Sequence, residues 1–419
     1  MKNKILLFSC FLLCFYFSSE EKSMAQDFKT KMLLDGIYDL VYYDLDTTGY
    51  WWAITKPFLN TFKIHIGDYE SSPFEDISYP AFFPRGFGWA YFGIKNNNVH
   101  LVKNYDGKIS DTVLDATDYS EITYSPNGEF LAYSYYQGGF EIIQLPFKVI
   151  EITNRIKPLF IDNSGNNYAI IIKRLDKFFL NVNGYETTGY DSLLPIGFWH
   201  TGEFIYASLN GGTWSINRGK KELGTSYMKV IDAKINIEGN VFAVLVQLFT
   251  GRSMAIAFSD KYYEPLYGKT YDEVWGLTLH PSEVLFGYSA IEHNKSYILQ
   301  NSVEYYASGN VNAPYYTYDG SELISFAMGD FGPYININGK RFDIKFSMNI
   351  DRHIAKKPKS SSFAYTTYTT LLVNYYDKGE YYTGFMCDRM GQAIYNHRNG
   401  RYEALGDINN RLYLISCSP

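Results

Sequence analysis

The chain is poor in the residues that usually announce chemistry, with 4 cysteines and 7 histidines in 419 residues. No His-x-His or His-x3-His pair occurs, so the ligand spacing of zinc sites is missing. There is no Asp-x-Asp-x-Asp-Gly calcium loop. No glycine-rich loop leads from a strand into a helix, and no Gly-x-Ser-x-Gly elbow presents a nucleophile. Neither a metal nor another cofactor is expected, and serine-type hydrolysis has no residues to run on. Helical spacing of apolar residues is hard to find after the first thirty positions, and no later run is long enough to span a bilayer. Basic residues are also in the minority: 38 Lys and Arg against 44 Asp and Glu give a net charge of −6. That balance argues against a nucleic-acid partner, which needs clustered Lys and Arg on its phosphates. The one basic cluster, Lys356-Lys357-Pro358-Lys359, reads as a solvated turn.

The amino terminus has the composition of an export signal. Lys2 and Lys4 precede an apolar stretch from Ile5 to Phe17, and Ser23-Met24-Ala25 places small residues for cleavage before Gln26. Residues 1–25 are therefore expected to be removed, leaving 26–419 as the mature chain in the periplasm or outside the cell. Leu7-Phe8-Ser9-Cys10 loosely resembles a lipoprotein box and keeps lipidation of Cys10 as an alternative. Cleavage takes away three lysines and two glutamates, so the mature chain is one charge more acidic. It also leaves Cys387 and Cys417 as the remaining cysteines. In an oxidising compartment such a pair can form a disulfide, here expected to tie the carboxyl-terminal strand to the last module.

What the chain has in abundance is aromatic residues, 40 Tyr and 30 Phe, and regularly placed turns. Both suit an all-β chain. Ser125-Pro126-Asn127-Gly128-Glu129-Phe130-Leu131-Ala132-Tyr133 shows the pattern best: a small turn residue, then a short apolar strand. Aligned copies centre on Gly86, Gly165, Gly202 and Gly239, with weaker ones on Gly49, Glu283, Gly320 and Ser360. From Gly128 through Gly239 the step is 37 residues; elsewhere it runs from 37 to 44. Such a period means supersecondary modules that bury their apolar faces on one another. Each module reads as four short strands. In the fifth these are 192–199, 203–209, 213–217 and 222–227, separated by Gly- and Asn-bearing turns. Repeated four-stranded antiparallel units fit β-propeller blades. About eight blades are expected, with seven to ten allowed, in one ring over 26–419; two smaller tandem rings are the alternative. Residues 388–419 are available as closing strands.

Asn183-Gly184, Tyr190-Asp191 and His200-Thr201-Gly202-Glu203-Phe204-Ile205-Tyr206 together resemble the module of the TolB-like, WD-repeat-like propellers. The likeness covers most of residues 31–385 and departs from the family where Asn127, Arg85 or Ser282 stands in place of the Asp after Pro. It implies the fold and little about function, since such modules serve periplasmic scaffold proteins and exopeptidases alike.

Twelve residues before the aligned turn, aromatics recur as Phe74, Tyr190, Tyr227 and Tyr271, and acids follow three of them as Glu75, Asp191 and Asp272. In a propeller this position enters the innermost strand at the channel rim, where Tyr suits an interface. The competing reading is that each aromatic packs between blades and each acid caps a turn. His200 and His280 fall at neighbouring module positions and are read as exposed turn residues. Ser208-Leu209-Asn210-Gly211-Gly212-Thr213-Trp214 is one residue short of a sialidase Asp-box and occurs once. The function expected is an exported, monomeric, non-enzymatic binding or scaffold protein with a protein or glycan partner. The alternative is a carbohydrate hydrolase or lyase whose carboxylates come from different blades.

Overall fold

The computed structural model describes residues 28–46, 48–84, 88–262, 264–344, 354–375, 379–382 and 384–419. The expected signal peptide, Cys10 and the Gly86 turn lie outside those residues. Among the described residues there are strands and no α-helix, and the strands form ten antiparallel sheets, most of them four-stranded. They span residues 39–70, 76–114, 118–152, 155–186, 192–227, 229–267, 273–307, 310–343 and 362–382, with a tenth built from 389–417 and Phe28–Leu34. The fold is all-β, made of propeller blades. Ten sheets lie within the expected range and above the eight expected. The fifth reproduces the predicted module closely, with strands Ser192–Phe198, Phe204–Asn210, Thr213–Arg218 and Lys221–Tyr227.

The recurring glycine has a local cause. Gly49, Gly128, Gly165, Gly202, Gly239 and Gly320 all adopt positive φ, between 70° and 92°, a conformation that a Cβ penalises. In the weaker ninth copy Lys359 takes that role at φ 56°. Before the glycine, a polar side chain turns back onto the loop. Ser125, Asp162, Asn236 and Thr317 each accept an amide five residues on.

The chain divides into two compact units, 1–59 with 64–71 and 345–419, and 60–63 with 72–344. In the larger unit both faces of a blade are covered, so second strands read as continuous apolar runs rather than alternations. Val241–Gln247 shows why. Phe242, Val244 and Val246 face Trp199 and Ile205 of the fifth sheet, whereas Ala243 and Leu245 face Tyr271 and Tyr288 of the seventh. The aligned alanines Ala53, Ala90, Ala132, Ala169, Ala243 and Ala364 are all fully buried. Arg155 bridges the third and fourth sheets. Its guanidinium, with no solvent exposure, bonds Glu121 at 2.8 Å and Glu141 at 2.5 Å, so the buried charge is paired on both sides.

In the smaller unit the amino-terminal strand Phe28–Leu34 runs antiparallel to Arg411–Cys417, pairing Phe28 with Cys417 and Leu34 with Leu412. This sheet carries its own copy of the turn, Asn399-Gly400, with Gly400 at φ 69° and buried Ala404 four residues later. Here the expected disulfide is not seen: Cys387 and Cys417 are both buried and are not joined to one another. The register gives the reason. The Cys387 sulfur packs over Gly406, and Cys417 pairs with Tyr402. Four residues of strand span about 13 Å, while a disulfide holds its Cα atoms within about 7 Å. Burial pushes the Cys387 thiol up to about 12.

Candidate functional site

The predicted rim residues occupy one repeated splice between sheets. Phe74, Tyr190 and Tyr271 each exchange two backbone hydrogen bonds with Phe62, Phe178 and Ser253 on the third strand of the preceding sheet. Tyr227 pairs with Trp214 in the same place. Their side chains are packed rather than offered to solvent: Phe74, Tyr227 and Tyr271 are 2%, 8% and 1% exposed. Phe74 lies edge-on to Tyr91, and Tyr190 lies against Tyr206. The Tyr271 hydroxyl donates to Glu304 at 2.7 Å. An exposed aromatic rim is therefore not made by these four.

The acids that follow cap the next sheet. Glu75, Asp191 and Asp272 accept the amides of Asn96, Gly211 and His293 at 3.0, 2.9 and 2.7 Å, each in the hairpin between second and third strands. Lys177 and the Gly211 amide hold the Asp191 carboxyl below its ordinary range, and Arg252 pairs with Asp272 at 2.8 Å. The tenth sheet repeats the splice with Cys387 in the aromatic position, its amide bonded to Thr369, and Asp388 capping Asn409 at 2.9 Å.

The histidines separate. His280 is buried, and its Nδ1 accepts the amides of Ser282 and Glu283, capping a turn that lacks the usual glycine. This corrects the expectation that it is exposed: the imidazole replaces the capping oxygen of other modules. His200 is half-exposed beside Asp260. Lys356 is likewise buried, not solvated, with its ammonium donating to the carbonyls of Lys357 and Ser360. Residues 208–214 form an ordinary hairpin with Gly211 and Gly212 at positive φ.

A cleft is present where no spacing predicted one. In the smaller unit a cavity of about 510 Å³ is lined by Val41–Asp44, Tyr368 and Asp388–Gln392, a size typical of small-ligand sites. It draws on the first strands of the first and tenth sheets, with the loop that carries Tyr368. Tyr42 stacks on Trp52, ring centroids 5.1 Å apart, and is 41% exposed; Tyr368 is 62% exposed. The interior polar wall is fixed. Tyr43 donates its hydroxyl to Asp407 at 2.9 Å, and the Arg389 guanidinium binds Asp407 at 2.9 Å while lying 5.6 Å from the Tyr43 ring. Burial and the Asp407 carboxylate push the Tyr43 hydroxyl well above its ordinary range, so it stays protonated.

Other groups in the cleft have hydrogen-bonding capacity to spare. Asp44 accepts its neighbour's amide, Leu45, through Oδ1 alone. Its carboxyl is raised, by burial first and Asp46 second, against the lowering effect of that amide. Asp388 uses only Oδ2. Among the described residues the Gln392 amide and Arg389 Nη1 have no partner, and no cluster of three or more metal-ligating side chains occurs. Two carboxyls, a guanidinium, an amide and exposed tyrosines lining one cleft can bind a polar ligand with apolar faces.

No protein-family profile and no curated protein sequence matches the chain. Solved structures do resemble it. One is the dihydro-heme d1 dehydrogenase NirN in complex with DHE, at 11% identity and TM-score 0.38, covering 77% of this chain and 78% of that one. The Dos1 propeller matches at 10% identity and TM-score 0.38, over 80% and 90% of the two chains. TolB from Acinetobacter baumannii matches at 14% identity and TM-score 0.27, over 64% of this chain and 62% of its own. The resemblance to TolB-like and other propellers expected from the repeats is thus met. At these identities and scores it concerns the fold, and the chemistry rests on this chain's own residues.

Proposed function

We propose that this chain is an exported, monomeric binding or scaffold protein that holds a protein or glycan ligand in the Tyr42–Arg389 cleft. The observation that carries the reading is the unspent hydrogen-bonding capacity of Asp44, Gln392 and Arg389 Nη1 in a cleft that two exposed tyrosines also line. Polar groups left open beside exposed aromatics are what a binding site needs and a packed core avoids. Export is supported by the composition of residues 1–25, and the acidic balance disfavours nucleic acid. The test is affinity capture from envelope extract on immobilised mature protein, beside a Tyr42→Ala/Tyr368→Ala variant of equal melting temperature. Retention of the same ligand by both proteins would remove the cleft from consideration. Fractionation with amino-terminal sequencing tests export, and sedimentation velocity tests the monomer.

A second reading is favoured by one observation: Asp44, with its raised carboxyl, shares the cleft with Asp388. A pair of carboxyls lining one cleft is what glycoside hydrolysis requires. Release of reducing ends from a polysaccharide, abolished by Asp44→Asn and by Asp388→Asn alike, would establish it in place of passive binding.

A further inference from the structure

We propose that the cleft is a saccharide site that selects neutral over anionic glycans, with Tyr42 as its stacking platform. This rests on the reading of the cleft as the ligand site. The Tyr42 ring stacks on Trp52 at 5.1 Å and 26°, which orders it, and it is 41% exposed. Tyr368 supplies a second exposed ring from a separate loop. Sugar rings present apolar C–H faces and a belt of hydroxyls, each a donor and an acceptor. The aromatic faces suit the first. The belt is matched by acceptors on Asp44 and Asp388 and by donors on Gln392 and Arg389 Nη1.

Charge decides the class of sugar. Among the described residues lining the cleft Arg389 is the one cation, and Asp407 already binds it through Nε at 2.9 Å. Asp44 and Asp388 add two further carboxyls to the cleft, so acidic groups outnumber the one guanidinium. A uronic acid or other anionic sugar entering there meets like charge across a partly desolvated wall. A neutral sugar meets acceptors for its hydroxyls. Binding should then depend little on ionic strength, because no charge pair forms.

The experiment is calorimetric titration of the mature protein with neutral hexaoses of gluco, manno, xylo and galacto configuration, and with oligogalacturonate of the same length, at low and high salt. The expected result is that at least one neutral hexaose binds and oligogalacturonate does not, with little change on adding salt. Tyr42→Ala should weaken that binding by about tenfold or more, and Tyr42→Phe, which keeps the ring, should restore it. Equal melts of the two variants exclude a folding defect. Tighter binding of oligogalacturonate, or no neutral hexaose bound, overturns the proposal. If the hexaoses fail while a captured protein still depends on Tyr42, the cleft stands as a ligand site and the saccharide class falls. If hexaoses bind equally to Tyr42→Ala, the cleft itself is wrong.

Discussion

Leu175 sits at a hairpin tip with φ 51° and 94% of its surface exposed, where equivalent hairpins use Asn96, Gly138, Gly211 or His293. A left-handed Leu costs about 1–2 kcal/mol relative to glycine's freedom there. Leu175→Gly should therefore stabilise the fold by up to about 1 kcal/mol once its greater unfolded-state entropy is set against the relief, raising the urea midpoint with an unchanged slope. An unaltered or lower midpoint would mean that the Leu side chain is held by contacts of its own. Asp44 is the opposite kind of residue, one whose ionised form is disfavoured by its place. Its folded-state carboxyl lies above the ordinary value, so the folded state binds the proton more tightly than the unfolded one. The stability that follows is present below the unfolded value and lost as pH rises through the raised one. Asp44→Asn removes that loss. Its melting temperature should exceed the parent's at neutral pH, and the gap should close on acidification. A gap independent of pH would show that burial of the charge is not the cause.

At the scale of elements, the blade is held by alternation in which both phases are buried. Ala243 lies in the layer between the sixth and seventh sheets, against a cluster that includes Tyr271 and Tyr288. Ala243→Leu should overpack this layer and cost about 1–3 kcal/mol. Thermal and urea melts check it, and parent-like stability would mean the layer has room. The splice that joins one blade to the next belongs to the same scale. A backbone pair at Phe74, Tyr190 or Tyr271 fixes the crossing, the buried ring fills the gap, and the acid one residue on secures the next hairpin. Repetition of a residue in a repeated module is explained here by repetition of its packing task. Recognition is left to residues that do not repeat, among them Tyr42, Tyr368 and Gln392.

For the molecule, the decisive connection is between its two ends. Phe28–Leu34 completes the sheet of Arg401–Ile408 and Arg411–Cys417, and Leu33 and Leu34 pack on a cluster with Leu40, Ala53, Leu405 and Leu412. A chain beginning at residue 36 would leave Arg411–Cys417 as an open edge. Limited proteolysis of that truncated protein should cut within 389–417 at protease levels that leave the parent intact. Equal resistance would show that the edge is protected without the amino-terminal strand. Buried Cys387 and Cys417 contribute packing to this region without a covalent link.

Turns and strands were legible in the sequence because their causes are local. A positive φ demands Gly, a turn demands a side chain that can cap it, and close layers demand Ala. The tenth sheet obeys the same rules, and Gly400 follows Ser360 by 40 residues, within the period. It was harder to read because its splice residue, Cys387, is no aromatic and its outer strand comes from the other end of the chain. Whether Phe74, Tyr227 and Tyr271 would face solvent or a neighbouring blade was not legible, since a Tyr serves either place and only packing chooses. The cleft lay beyond sequence altogether. Tyr43 and Arg389 stand 346 positions apart, and no spacing relates them until the two ends of the chain share a unit. Local backbone chemistry wrote the blades into the sequence; long-range packing alone decided which side chains were left over to bind.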